Sequence, residues 1–169
     1  MGTNVSSVEA TRSVLDALRH VVQVLRISAR AAEMHHGISG AQLFVLHQLS
    51  DGVARSINDL AEGTFTHQSS VSVVVSRLAS RRLVRRKRGG GDGRRTEVEL
   101  TPVGRRMLQR APEPAQARLI EAILALKPAQ RSALLEGLTA LHRNLGAGRT
   151  RPQLFFEEGV RRGRRRRSE

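Results

Sequence analysis

Apolar residues recur at helical spacing along the first part of the chain. Val14, Leu15, Leu18, Val21, Val22, Leu25 and Met34 fall on one side of a 3.6-residue period, and no Pro or internal Gly interrupts them. The pattern predicts one long amphipathic helix over residues 5–35, with Arg12, Arg19, Arg26 and Arg30 spread along it. Gly37-Ile38-Ser39-Gly40 is a break, and Ser39 suits the N-cap of a second helix over residues 41–49 that carries Leu43, Phe44 and Leu46. Asp51-Gly52 ends that helix. Ile57, Leu60 and Ala61 then mark a short helix closed by Gly63, and Thr66-His67-Gln68-Ser69 reads as a polar turn. Val71, Val74, Val75 and Leu78 return to helical spacing, with Ser69, Ser70, Ser72, Ser76 and Arg77 on the opposite side. A run of valines favours a strand, but the period and the flanking Leu60 and Leu78 decide for a helix over residues 67–80.

The period then changes. Leu83-Val84 opens a strand continued by Arg85-Arg86-Lys87-Arg88, and Gly89-Gly90-Gly91-Asp92-Gly93 is a flexible turn. Glu97-Val98-Glu99-Leu100-Thr101 alternates polar and apolar, as a half-buried strand does. Ser56-Ile57 fits a short strand laid against this hairpin. Thr101-Pro102 has the N-cap and first-position residues of a new helix carrying Val103, Met107 and Leu108. Pro112 and Pro114 interrupt it. Residues 115–126 resume helical spacing with Leu119, Ile120, Ile123, Leu124 and Leu126. Lys127-Pro128 opens a last helix with Leu134, Leu135, Leu138, Leu141 and Leu145, closed at Gly146.

A strand, two helices joined by a short turn and a basic hairpin, all within residues 56–101, make a winged helix-turn-helix. The expected fold class is mainly α with a small β-hairpin wing, dimerised through N- and C-terminal helices. The first helix is longer than packing on so small a lobe requires, which suits a dimer interface as well as a core helix. The organisation expected is an N-terminal dimerisation helix (residues 1–38), a DNA-binding lobe (39–104), C-terminal dimerisation helices (105–147) and a basic, mostly disordered tail (148–169). The tail contains one apolar patch, Leu154-Phe155-Phe156.

Charge sharpens this picture. The formal net charge is +14. Residues 81–95 hold eight arginines and lysines against one acid, Asp92, and residues 149–169 hold eight arginines against three acids. Basic patches of this kind attract polyanions without reading sequence. The short, hydroxyl-rich face of the second helix suits a major groove, where it can bond phosphates and base edges. The wing tip, with Arg94 and Arg95, suits a narrow minor groove. The DNA-binding residues expected are Thr66, His67, Gln68, Ser69, Ser70, Ser72, Val73, Ser76, Arg77, Arg88, Arg94 and Arg95. Arg77 would hold phosphate or brace the wing. Asp92 is expected to order the wing by pairing with an arginine, since an acid repels phosphate. The tail is either a DNA-embracing arm or a solvated charge run.

Leu60-Ala61-Glu62, Val71-Ser72, Arg77-Leu78 and Leu83-Val84, followed by Asp92-Gly93-Arg94, Val98, Leu100-Thr101 and Gly104, resemble the MarR family of bacterial transcription regulators. The motif resemblance spans roughly residues 39–104. Arg82 stands where that family usually has glycine, and His67-Gln68 where it often has Ser-Pro. The resemblance implies a homodimer on a pseudo-palindromic duplex operator, acting as a repressor. It also implies a small-molecule effector, frequently anionic or phenolic, held between the dimer helices and the DNA-binding lobe. His35 and His36 lie near that place in the sequence and are the effector-site candidates; a solvated helix terminus is the plainer reading of both.

Other function classes lose ground. The chain has no cysteine, which excludes disulfides, thiolate metal sites and thiol sensing. Its six histidines form no metal motif, so no metal and no cofactor are expected. The glycine run lacks the strand-to-helix context and lysine of a phosphate loop, and no Ser-His-Asp order or carboxylate pair suggests an enzyme. Four phenylalanines are the only aromatics of the Phe, Trp and Tyr group, few for a binder of single strands. No apolar run approaches a membrane span and the N-terminus does not read as a signal peptide, so a cytoplasmic protein is expected; the loose myristoylation pattern at Gly2 is read as chance. The remaining alternative is a largely non-specific, nucleoid-associated DNA binder.

Overall fold

The computed structural model describes residues 3–88, 96–146 and 154–156. Its elements are α1 (Thr3–His36), α2 (Gly40–His47), β1 (Arg55–Ser56), α3 (Ile57–Gly63), α4 (Gln68–Ser80), β2 (Val84–Arg88), β3 (Thr96–Leu100), α5 (Pro102–Leu108), α6 (Ala115–Ala125) and α7 (Pro128–Asn144). The helices start where short polar side chains can hold otherwise unpaired amides. The Ser39 hydroxyl accepts from the Gln42 amide, and the Gln42 side chain accepts from the Ser39 amide. Ser56 and Asp59 repeat the arrangement at α3. Thr101 caps α5 through the Gly104 amide, with Pro102 in the first turn.

The sheet has strand order β1-β3-β2 and is antiparallel throughout. It is a wing of two strands closed on its inner edge by the short β1. Strand β1 lies one residue earlier than the Ser56-Ile57 pattern suggested, because Ile57 is already taken into α3.

One core joins these pieces. Ile38, Leu43, Phe44, Leu46, Leu49, Leu60, Val71, Val74, Val75, Leu78 and Val98 are each at most 1% exposed. The valines of α4 show why period prevails over propensity. Burying a valine side chain is worth about 1.5 kcal/mol or more, whereas placing valine in a helix costs about 0.5 kcal/mol relative to alanine. Four buried positions on one face settle the element as helix.

Helices α3 and α4 end alike. At α3 the Phe65 amide donates to Glu62 O and the Thr66 amide to Ala61 O, each at 3.0 Å; at α4 the Arg82 amide donates to Ala79 O at 2.9 Å and the Leu83 amide to Leu78 O at 3.0 Å. Both are Schellman turns, whose central residue must be left-handed and is commonly glycine. Here Phe65 (φ 50°) and Arg82 (φ 58°) take that conformation, at a cost of about 1 kcal/mol each. The turn into the wing therefore keeps its glycine-type geometry with an arginine in place. The helix expected over residues 67–80 runs from Gln68 to Ser80, and the connection is Thr64 to His67 rather than the polar stretch Thr66 to Ser69.

Within the tail expected to be mostly disordered, residues 154–156 have a defined place. Leu154 is buried in the core, and Gln116 Nε2 donates to Phe155 O at 2.8 Å. The physical reason is space. Ala29, Gly40, Ala115 and Ala117 are small residues at the junction of α1, α2 and α6, and the returning Leu154-Phe155-Phe156 segment covers it. The rest of the expected tail, and the wing tip with Asp92, Arg94 and Arg95, lie outside the described residues.

Helix α1 packs on α2 and α6 through its C-terminal half, where Leu25, Ala29 and Ala32 are buried and Ser28 Oγ accepts from the Ala115 amide. Its earlier apolar positions, including Val14, Leu15, Val21 and Val22, are exposed in the single chain. Helix α7 buries no residue at all, although it carries Leu134, Leu135, Leu138 and Leu141.

Among the described glycines the closest approach is at Gly104, where a Cβ would lie 2.0 Å from Leu83 O. That carbonyl also accepts from the Thr101 amide, so it cannot yield without loosening the start of α5. Gly104→Ala should destabilise the fold by about 3 kcal/mol, read as a lowered denaturation midpoint.

Candidate nucleic-acid interface

Helix α4 turns its valine face inward, and this fixes the residues that face out. His67, Gln68, Ser69, Val73 and Ser76 are exposed, while Thr66, Ser70, Ser72 and Arg77 are half-buried at its margins. The helix is not closed at its start, because the His67 side chain makes no cap hydrogen bond. The Ser70 amide donates to His67 O at 3.1 Å, and the helix dipole favours an anion beyond this end. Phe65, immediately before this end, is 69% exposed.

The wing sorts its charges by strand alternation. In the observed register Arg85 faces Glu99, Arg86 faces Val98, Lys87 faces Glu97 and Arg88 faces Thr96. Arg85 Nε pairs with Glu99, and Lys87 Nζ lies 3.3 Å from Glu99 and 4.0 Å from Glu97. The Arg85 guanidinium, helped by Lys87, holds the Glu99 carboxyl below the usual carboxylate range. Two of the basic residues in β2 are therefore matched by acids of β3 and contribute little outward field. Arg86 and Arg88 point to the other face. Arg86 Nη2 donates to Ser76 Oγ at 2.9 Å, while the Ser76 hydroxyl donates to Ser72 O at 2.8 Å. Ser76 thus holds an arginine over the exposed face of α4, and the brace between wing and helix is Arg86. Sequence reasoning missed that role, although the signal was present. Val84 must face the core, so Arg86 and Arg88 share its side of the strand.

Two clefts border α6. One of about 290 Å³ lies between α2, β1 and α6 and is lined by Phe44, His47, Asp51, Arg55 and Glu121 among others. In it Arg55 grips Asp51 with two hydrogen bonds, at 2.7 and 2.6 Å, and the Val53 amide donates to Asp51 at 3.0 Å. The other, about 310 Å³, lies between α1 and α6 beside His20, Val24, Leu25, Arg118 and Leu119. His35 and His36 stack edge to face at the C-terminus of α1 and line neither cleft. No group of three potential metal ligands occurs among the described residues. No helix among them is long and apolar enough to cross a membrane.

The MarR family profile matches residues 36–95, from the end of α1 through the wing tip. A probable transcriptional regulator from Pseudomonas aeruginosa is 30% identical over 73% of this chain and 92% of its own, with a TM-score of 0.50. The chain belongs to the MarR family. The transcriptional regulator BldR from Sulfolobus solfataricus is 25% identical, with 85% of this chain and 99% of that one covered and a TM-score of 0.52. A MarR family protein from Bacillus stearothermophilus shares the fold at 18% identity, covering 82% and 96% of the two chains with a TM-score of 0.51. No curated protein matches. The lobe is thus a MarR-type winged helix-turn-helix, α3 and α4 being its helix-turn-helix and β2–β3 its wing. The family consists of DNA-binding transcription regulators rather than enzymes.

The Asp51–Arg55 fork makes a pH prediction. Bonded to Arg55 first and to the Val53 amide second, the Asp51 carboxyl is lowered from 3.8 to about 2. A carboxyl whose folded value is depressed stabilises the fold above its unfolded value and loses that contribution as pH falls through the folded one. The fork should therefore hold down to about pH 2. Carboxyl-carbon NMR shifts should show Asp51 titrating there, and Arg55→Ala should bring the midpoint back toward 3.8.

Proposed function

We propose that this MarR-family chain acts as a homodimer that binds a pseudo-palindromic duplex operator and represses transcription by occupying it. The observation that carries the DNA reading is the free polar face of α4, flanked by Arg86 and Arg88 and open at its N-terminus. Two copies of α4 enter successive major grooves about 34–36 Å apart. Gln68, Ser69, Ser70, Ser72 and Val73 meet bases or phosphates, with Thr66 and His67 at the leading end. Ser76 acts through the arginine it holds, and Arg77 lies beside phosphate. Arg88, Arg94 and Arg95 supply the wing's contacts, and Asp92 orders its tip. The homodimer is supported by α7, whose leucines find no cover on their own chain, and by the exposed half of α1. In this reading residues 1–38 and 105–147 form the dimerisation segments around the DNA-binding lobe of 39–104.

A small-molecule effector bound in the cleft between α2, β1 and α6 has the position needed to alter lobe spacing, because that cleft touches both the lobe and a dimerisation helix. It shifts the dimer only if it binds the two spacings with different affinity.

The test is fluorescence anisotropy across a salt series, with the duplex upstream of the chain's own gene and a scrambled duplex, alongside sedimentation. A dimer preferring the native duplex by about 10³ or more is expected. Equal affinity for both would point to the non-specific nucleoid-type binder instead. Arg94→Ala should weaken binding and lower the slope of log K against log salt by about 1. Unchanged affinity and slope would remove Arg94 from the interface.

A further inference from the structure

We infer that Phe65 is itself a DNA-contact residue, a hydrophobic reader at the leading edge of α4 that packs on the C5-methyl of a thymine in the operator's half-site. The inference rests on the DNA-binding reading above and adds to it a residue and a base chemistry.

Three observations converge on this ring. Phe65 occupies the left-handed position of the Schellman turn that closes α3, with φ 50°. Glycine fits that position without strain and asparagine tolerates it. A large aromatic does not, and backbone outliers of this kind persist at sites where the side chain is used. The ring is also little covered by the fold, being 69% exposed.

Its place supplies the partner. Phe65 stands two residues before His67, the N-cap of α4, where no side chain closes the helix. His67, Gln68 and Ser69 beside it are exposed and polar. The N-terminal residues of a recognition helix are the ones that reach base edges. In the major groove the apolar feature is the thymine methyl, and phenylalanine is among the side chains that pack on it. A protein partner would instead use the concavity that Phe65 itself lines with Asn58, Ala61, Glu62 and Thr66. The uncapped helix end favours the nucleic acid.

The experiment uses the full-length chain and the tightest duplex recovered from a random library by the wild type. Phe65→Gly and Phe65→Asn are compared with wild type in thermal melts and in anisotropy titrations. Each thymine of a half-site is replaced in turn by deoxyuridine, which lacks only the methyl. Both variants should melt about 2–4 °C higher, because the strain is relieved, and should bind about tenfold more weakly. One deoxyuridine position should weaken the wild type about fivefold and leave the variants unaffected. A lowered melting temperature would mean that the ring holds the turn, and it overturns the inference. So does a preferred duplex bound equally well by the variants, which would leave Phe65 to a protein partner. If the wild type recovers no preferred duplex, sequence-specific binding fails and this contact fails with it; the two failures are therefore distinct.

Discussion

The exposed chemistry of this chain depends on the burial of Val71, Val74, Val75 and Leu78. These four residues are fully enclosed against α2, α3 and the wing. Their burial fixes the rotation of α4 about its axis, and that rotation turns Gln68, Ser69, Val73 and Ser76 outward. A slip of one residue would rotate the helix by about 100° and bring serines into the core without partners. Packing rather than local preference thus holds the proposed reading face in place, which is why a valine-rich segment can serve as a recognition helix.

The wing is tied to that helix at two points of different character. At the corner, Thr101 Oγ1 donates to Arg82 O at 2.7 Å and accepts from the Gly104 amide, and Gly104 lets α5 approach the Leu83 carbonyl. Further out, Arg86 rests on Ser76. The corner is covalently short and partly buried, so it sets the angle of the hairpin. The outer contact is exposed, where a polar bond contributes little to stability. Its consequence is positional: it keeps a guanidinium over the face of α4. Strand pairing meanwhile consumes Arg85 and Lys87 against Glu97 and Glu99. The basic character of the wing is accordingly narrower and more directed than its composition implies.

Much of the apolar surface left on the single chain lies along α1 and α7, while Val53, Phe65, Val73, Val103, Leu124 and Phe155 are exposed elsewhere. Contiguous apolar surface of this kind marks an interface, and in the proposed dimer both helices find their cover in a second copy. The returning segment Leu154-Phe155-Phe156 obeys the same logic within one chain, covering the junction where α1, α2 and α6 meet through small side chains.

Much of this was legible in the sequence. Helical spacing located α1, α2, α4, α6 and α7, and alternation located β2 and β3. Ser39, Thr101 and Pro102 gave helix starts that the structure reproduces, because capping is a local interaction between residues three apart. The MarR motif identified the family from residues around the wing. Long-range placement was not legible. That Arg86 rather than Arg77 spans from wing to helix depends on the strand register and on the packing angle of β2 against α4. That Leu154 is a core residue depends on a gap made by small residues more than thirty positions away in the chain. That Phe65 and Arg82 adopt left-handed backbone comes from the two Schellman turns, whose geometry is imposed by the direction in which the chain must leave each helix. Sequence determined the elements, whose causes are local; the tertiary structure decided which polar groups were spent inside the fold and which were left facing out.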